Sequence, residues 1–395
     1  MRISADQKQL QAMRLPRQGA IAHYARGVLT YLLVVTILSS SSQNGQLVLA
    51  TAASSAATAK GVVWQIEPLW GKWPATDWDG VIADARDMRA AGITWARIDV
   101  RQDNYSADYL DKVVAIADSY NIQLLALVLK GTPAASLGTE ADRQRYRIWL
   151  DGVTRRYSKA IRYWEIHNEP NLNQYWRQPE AKADSDAYTR AVQEYVLHLK
   201  DSYDTIKAAD DTAQILLGGL SSWKVGRFVD QLISAQAYRY IDIVAFHPYG
   251  SNPDEVAAAL DAFQAQLQDS GQPELAAKPI WITEIGFHSE ADWADLPGFM
   301  PSERKKAEAL TAVIGKLRSR NVQSPIFWYV LHESGNYDGY GLLRRNPATN
   351  ETTYLPSYYA YQRLADSEQE PKQCQYLSIP LYFQCMTKPS PVLYP

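Results

Sequence analysis

Two acidic residues in this chain have the surroundings needed for chemistry. Glu169 lies in Tyr163-Trp164-Glu165-Ile166-His167-Asn168-Glu169-Pro170-Asn171, and Glu284 lies in Ile280-Trp281-Ile282-Thr283-Glu284-Ile285-Gly286. Each sits just past a short apolar run that reads as a buried strand, so each projects from a strand end toward a common site. Cleavage of a glycosidic bond requires two such carboxyls: one protonates the leaving oxygen, and the other attacks the anomeric carbon or activates water. No His-Glu-x-x-His or similar ligand spacing occurs in the chain, so neither a metal nor another cofactor is expected.

The elements that must position these acids alternate along the chain. Strand-like runs fall at Val62–Ile66, Ile93–Val100, Ile122–Leu129, Ile161–Ile166, Gln214–Leu220, Ile241–Phe246, Pro279–Thr283 and Pro325–Val330. Between them, stretches such as Trp78–Ala91, Ser106–Tyr120, Asp184–Ala209, Pro253–Leu267 and Ser302–Arg320 repeat apolar residues at helical spacing, and Pro356–Leu364 supplies a last helix. Parallel strands need crossover helices, and eight such units close a sheet. The expected fold is therefore α/β, a single (β/α)8 TIM barrel with catalytic groups at the C-terminal strand ends. A doubly wound open sheet would usually carry a Gly-rich phosphate loop after the first strand. Val62-Val63-Trp64-Gln65-Ile66-Glu67-Pro68 has none.

The strand ends also carry Arg97 and Asp99, Asn168, His247 and Tyr249, and Trp328. Asn-Glu-Pro after strand four, His-x-Tyr after strand six, Glu after strand seven and Trp on strand eight together resemble clan A glycoside hydrolases. Asn168 to Leu172 and Thr283 to Phe287 look most like family 39 of that clan, whose members include bacterial enzymes that cut exopolysaccharide. The resemblance spans about Val62 to Leu364. It departs at Leu127-Val128-Leu129-Lys130-Gly131-Thr132-Pro133, where some clan members carry a histidine.

The resemblance implies a retaining double displacement with Glu169 as acid/base and Glu284 as nucleophile. An apolar wall and the charge of Glu284 should raise the pKa of Glu169. For substrate contacts it points to Asn168, Arg97, His247, Tyr249 and Trp328. Asn168 would donate to the sugar 2-hydroxyl and Tyr249 to Glu284, Arg97 would supply a fixed positive charge, and Trp328 would floor the cleaved ring. Trp176 and Trp70 would extend that floor, as would other loop aromatics such as Trp73, Trp223, Trp293 and Tyr340. With 12 Trp and 25 Tyr against 7 Phe, the chain favours rings with a polar handle, which suit wet clefts. Lys130, Asp99, Glu67, His332 and Glu333 also lie near strand ends. Each is a candidate reader of a hydroxyl, carboxylate or sulfate.

The ends of the chain point to export. Residues 1–60 read as a basic leader, an apolar segment from Gly27 to Leu38 and a flexible stalk. Ala50-Thr51-Ala52 fits a cleavage site, and an uncleaved membrane anchor is the alternative. The barrel is assigned to 61–366. The tail, 367–395, holds the only cysteines, Cys374 and Cys385, and in an exported protein such a pair favours a disulfide. A formal net charge of −3 without blocks of like charge gives no basis for nucleic-acid binding. The expected partner is a poly- or oligosaccharide. A carbohydrate-binding barrel without catalysis is the competing reading, and the presence of both acids counts against it.

Overall fold

Eight parallel strands close into a barrel in chain order, with β1 paired to both β2 and β8. They are β1 Lys60–Val63, β2 Ile93–Arg101, β3 Gln123–Leu129, β4 Tyr163–Asn168, β5 Gln214–Ser221, β6 Val244–His247, β7 Ile280–Ile285 and β8 Ile326–Trp328. The crossover helices are α1 Trp78–Ala90, α2 Ala107–Ser119, α3 Glu140–Tyr157, α4 Ser185–Ala209, α5 Val225–Ser234, α6 Pro253–Gln268, the short α7 Pro273–Ala276, and α8 Glu303–Arg318. Helix α9, Pro356–Arg363, ends the barrel. The computed structural model describes residues 59–66, 77–130, 138–172, 175–176, 185–223, 225–290, 294–322, 324–333, 339–346, 349 and 351–364, all within one compact unit.

The helices start where side chains can satisfy their free N–H groups. Asp77 accepts from Gly80 N ahead of α1, Ser106 from Tyr109 N ahead of α2, and Ser302 from Lys305 N ahead of α8. Asn252 caps α6, with Pro253 at its first position. Helix α3 carries so many charges that its apolar stripe is thin. It nevertheless buries Tyr146, Leu150, Val153 and Tyr157 at helical spacing, behind a Thr139–Asp142 capping box.

Strand alternation sorts the core into two layers. Val63, Trp95, Leu125, Leu216, Ala245, Trp281 and Phe327 fill the barrel interior, while Val62, Ala96, Ile98, Trp164, Ile166 and Phe246 face the helices. Trp95 meets Trp281 edge to face at 5.4 Å, and Tyr163 lies 4.8 Å from Trp281. These rings plug the barrel beneath the mouth.

Two features differ from the sequence expectation. Lys60, assigned to the leader, belongs to β1. Its buried ammonium donates to the carbonyls of Ala91, Tyr361 and Gln362, tying the first strand to the ends of α1 and α9. After β8 a small sheet of β9 His332–Glu333, β10 Leu343–Arg345 and β11 Thr352–Tyr354 forms. Runs of two and three residues are too short to show alternation. The leader before Ala59, Trp70, and the proposed Cys374–Cys385 disulfide lie outside the described residues. Among the described residues no helix is long and apolar enough to cross a membrane.

Candidate active site

Regular alternation accounts for β2 but not for β4 or β7. On β2, Trp95 faces inward, and two residues on, Arg97 does the same. On β4 the inward pair is Tyr163 and Glu165, so strict alternation would turn Asn168 outward. His167 breaks the pattern with φ 71°, and Glu169 follows at φ 40°. Both are left-handed conformations that non-glycine residues seldom adopt. The His167 ring therefore turns toward Trp176 and His198, and Asn168 turns in to meet Arg97. On β7 the register with β8 shifts between Ile282 and Ile285. That bulge lets both Thr283 and Glu284 face the mouth, a common device beside active sites.

Arg97 is the hub beneath both acids and is almost fully buried. Its Nε and Nη2 grip the two oxygens of Glu165 at 2.8 and 3.0 Å, Nη1 donates to Glu284 Oε2 at 3.0 Å, and Nη2 also donates to Asn168 Oδ1 at 2.8 Å. A guanidinium only donates, so the Asn168 oxygen must face it. The amide's N–H groups then remain for the mouth, as a contact to a sugar hydroxyl needs. Glu284 also accepts from the Tyr249 hydroxyl at 2.8 Å.

Glu169 stands opposite. Its Oε1 lies 3.1 Å from His247 Nδ1, and His247 Nε2 lies 3.0 Å from the Thr283 hydroxyl. One oxygen of Glu169, one ring nitrogen of His247 and one oxygen of Glu284 all fall within 4.8 Å of one another. Those three groups have the donor types to hold a cation, but the Arg97 guanidinium already supplies positive charge at Glu284.

Burial pushes the Glu169 carboxyl up to about 7, with Arg97 opposing and the Glu165 carboxylate adding to the rise. The apolar wall was foreseen in the sequence, and so was the like-charge repulsion between the two acids, which here acts to raise Glu284; Glu165 is a further carboxylate beside Glu169 that the sequence did not indicate. Burial also raises the Glu284 carboxyl, while His247, Arg97 and the Tyr249 hydroxyl act to lower it. Burial holds the His247 imidazole down at about 4.

Two glycines make room for this arrangement. A Cβ on Gly219 would fall 2.0 Å from His247 Nε2, and one on Gly218 would fall 2.5 Å from the Ile166 carbonyl oxygen. The Gly218-Gly219 pair in β5 lets the imidazole and the bent end of β4 approach the backbone.

Several substrate-contact expectations are corrected. Trp328 is fully buried between sheet and helices, beside Phe287, and its indole N–H donates to the Tyr340 carbonyl. By alternation it points outward, so it cannot floor a sugar. Trp176 is fully buried as well, packed on His167, His198 and Tyr195, with its N–H on the Ala191 carbonyl. His247 is enclosed beneath Glu169, and Arg97 is committed to protein partners. Asn168 and Tyr249 remain partly open at the mouth.

The sequence reading missed Glu165, Thr283, Gln65 and Tyr329. A charged residue inside the apolar run of β4 was a signal for Glu165. Tyr329, the next position after Trp328, joins the barrel-interior side, where Gln65 Nε2 donates to its hydroxyl at 3.2 Å and Tyr340 meets it edge to face. Burial and the nearby Glu284 raise the Tyr340 hydroxyl to about 12.

The chain matches known proteins at the level of a class. The model for the glycosyl hydrolase catalytic core matches residues 142–359, more than half of the chain, and the chain belongs to this family of glycosidase catalytic domains. With its eight-stranded barrel it falls among the clan A glycoside hydrolases. Solved structures share the fold at low identity. The hyperthermophilic β-glucosidase of Pyrococcus furiosus is 12% identical with a TM-score of 0.54, over 80% of this chain and 96% of that one. The glucosidase of Croceicoccus marinus is 13% identical with a TM-score of 0.56, over 78% and 67%. The Bacteroides uniformis β-glucuronidase 2, covalently bound to cyclophellitol-6-carboxylate aziridine, is 14% identical with a TM-score of 0.57, over 77% of this chain. The match spans only 34% of that β-glucuronidase. Among curated proteins no sequence matches the chain.

Proposed function

We propose that this protein is a retaining glycoside hydrolase that cleaves O-glycosidic bonds in a poly- or oligosaccharide, with Glu284 as nucleophile and Glu169 as general acid and base. The observation that carries this reading is the approach of one oxygen of each carboxyl to within 4.8 Å. Retaining pairs stand about 5–5.5 Å apart, whereas an inverting pair needs about 6.5–9.5 Å to admit a water. The division of roles follows from the partners. Glu284 accepts from Arg97 and Tyr249, which stabilise and aim an attacking carboxylate. Glu169, raised to about 7, can hold a proton near neutral pH and pass it to the leaving oxygen.

In the first step Glu284 bonds to the anomeric carbon as the glycosidic bond breaks, and the proton of Glu169 goes to the departing oxygen. In the second step Glu169 takes a proton from water, whose oxygen displaces Glu284. Asn168 would steady the sugar's 2-hydroxyl, and Tyr329 with Tyr340 would take the floor position expected of Trp328. Asp99, two residues beyond Arg97 on the same face of β2, would accept from a sugar hydroxyl. The Asn168–Leu172 and Thr283–Phe287 motifs support placement near glycoside hydrolase family 39. The basic and apolar N-terminal pattern supports an exported enzyme, secreted or anchored at the membrane, acting on a bacterial exopolysaccharide.

The test is incubation with a panel of polysaccharides, with product length read by mass spectrometry and the first-formed anomer by proton NMR. A product with the substrate's own anomeric configuration is expected, together with labelling of Glu284 by a 2-fluoro glycoside matched to the cleaved sugar. An inverted first product would overturn the nucleophile assignment.

A further inference from the structure

We propose that Glu165, Thr283 and His247 form a hydrogen-bonded relay that fixes the Nε2–H tautomer of His247 and so keeps the proton on Glu169, making Glu165 and Thr283 positioning residues for the acid. The inference rests on Glu169 being the acid and base.

The direction of the relay follows from what each group is able to donate. Glu165 is fully buried in a bidentate pair with Arg97, and its Oε1 also takes the Gly219 N–H at 2.9 Å. Held this way it is a carboxylate and only accepts. The Thr283 hydroxyl has a single hydrogen and lies 3.2 Å from Glu165 Oε1, which draws that hydrogen. Toward His247 the hydroxyl therefore acts as acceptor, and Nε2, 3.0 Å away, must carry a hydrogen. A neutral imidazole protonated at Nε2 presents a bare lone pair at Nδ1. Glu169 Oε1 stands 3.1 Å from that nitrogen. Two acceptors cannot bond, so the hydrogen between them is the acid proton of Glu169.

The charge-separated state, imidazolium against carboxylate, would fill the same contacts. Burial disfavours it, because the ring has no exposure and takes up a proton only below about pH 4. The charged and titratable groups facing the pair are Arg97 from β2, Glu165 from β4 and Glu284 from β7, with the Ser221 hydroxyl hydrogen-bonded to Glu169 from β5. Arg97 opposes a cation on His247, and the two glutamates favour one. The relay also serves the second step. Once Glu169 has given up its proton, its carboxylate faces the Nδ1 lone pair, and the unfavourable contact makes it a stronger base toward the incoming water.

Thr283→Val removes the acceptor while keeping the shape, and Thr283→Ser restores it. Without the hydroxyl, His247 is free to move its hydrogen to Nδ1, donate to Glu169 and favour the carboxylate. The basic limb of the pH dependence of kcat/KM, measured on a glycan the parent cleaves, should move down by about one pH unit in the valine variant. It should return in the serine variant. Imidazole 15N spectra of the parent should show His247 protonated at Nε2 only. Hydrogen at Nδ1 in the parent, or a valine variant that loses the same factor at every pH with its limb unmoved, would overturn the relay. The parent spectrum decides even if the valine variant does not fold. Failure of the relay leaves the acid assignment standing, because recovery of Glu169→Ala by azide tests that assignment separately.

Discussion

Glu169 and Glu284 occupy the same pit in the barrel mouth but meet opposite partners. Glu284 receives hydrogen bonds from a guanidinium and a phenol, both of which favour its charge. Glu169 faces an imidazole held low in proton affinity, and its nearest charged neighbour on the same strand is the Glu165 carboxylate. Depth in the fold does not separate the two, since burial raises both. What separates them is whether the groups around each carboxyl donate or accept. One acid is thereby prepared to attack and the other to hold a proton.

The comparison breaks most completely at the attacking group. Glu284→Gln cannot form the covalent intermediate, and turnover should fall by at least about 10⁴-fold, roughly 5 kcal/mol of transition-state stabilisation. Circular dichroism should be unchanged, and near-normal hydrolysis by this variant would remove Glu284 from the mechanism. Glu169→Gln should lose less, about 10²–10³-fold on natural glycans. Its deficit should shrink on aryl glycosides whose leaving groups need no proton. The parent's kcat/KM should also decline above about pH 7, where Glu169 ionises. A decline that persists unchanged in the glutamine variant would assign that limb to another group. Tyr249→Phe withdraws one of the two donors from Glu284 while leaving Arg97 in place. A hydrogen bond to a charged group contributes about 1.5–3 kcal/mol, so kcat should fall roughly 10–100-fold. A larger loss than in Glu169→Gln would mean that the phenol does more than aim the nucleophile.

These contrasts were only partly legible in the sequence. Both acids stood out because each follows an apolar run, and the eight-fold alternation specified the barrel to within a few residues at most strand ends. Arg97 was readable because β2 keeps its two-residue period from Trp95 onward. Period-two reasoning fails where the backbone departs from it. Trp328 is one residue out of phase with the barrel interior, so the ring at the mouth is Tyr329. The left-handed turn at His167 and the bulge in β7 each redirect the residues that follow, and neither carries a glycine or proline to mark it. Trp176 looked like a loop aromatic, but it packs on His167 and His198 behind the site. That contact exists only because His167 turns outward. The same turn that brings Asn168 into the mouth thus buries the tryptophan expected there.

The difference between the two acids should also appear as a small effect on stability. The folded protein holds the Glu169 proton up to about pH 7, whereas an unfolded chain releases it near the ordinary 4.5. Proton uptake therefore favours the fold, fully so below about pH 4.5, and this contribution is lost as the pH rises through about 7. Glutamine at position 169 cannot ionise, and its amide N–H can donate to His247 Nδ1 as the protonated acid does. The melting temperature of Glu169→Gln relative to the parent should thus climb between pH 4.5 and 8, by the equivalent of roughly 3 kcal/mol at most. The destabilisation that His247 causes on acidification, because the buried ring binds a proton less readily than it does in the unfolded chain, is common to both proteins and cancels in the difference. A gap that stays constant across this range would mean that Glu169 is ionised in the fold throughout. The distinction between the two carboxyls would then have to arise after substrate enters.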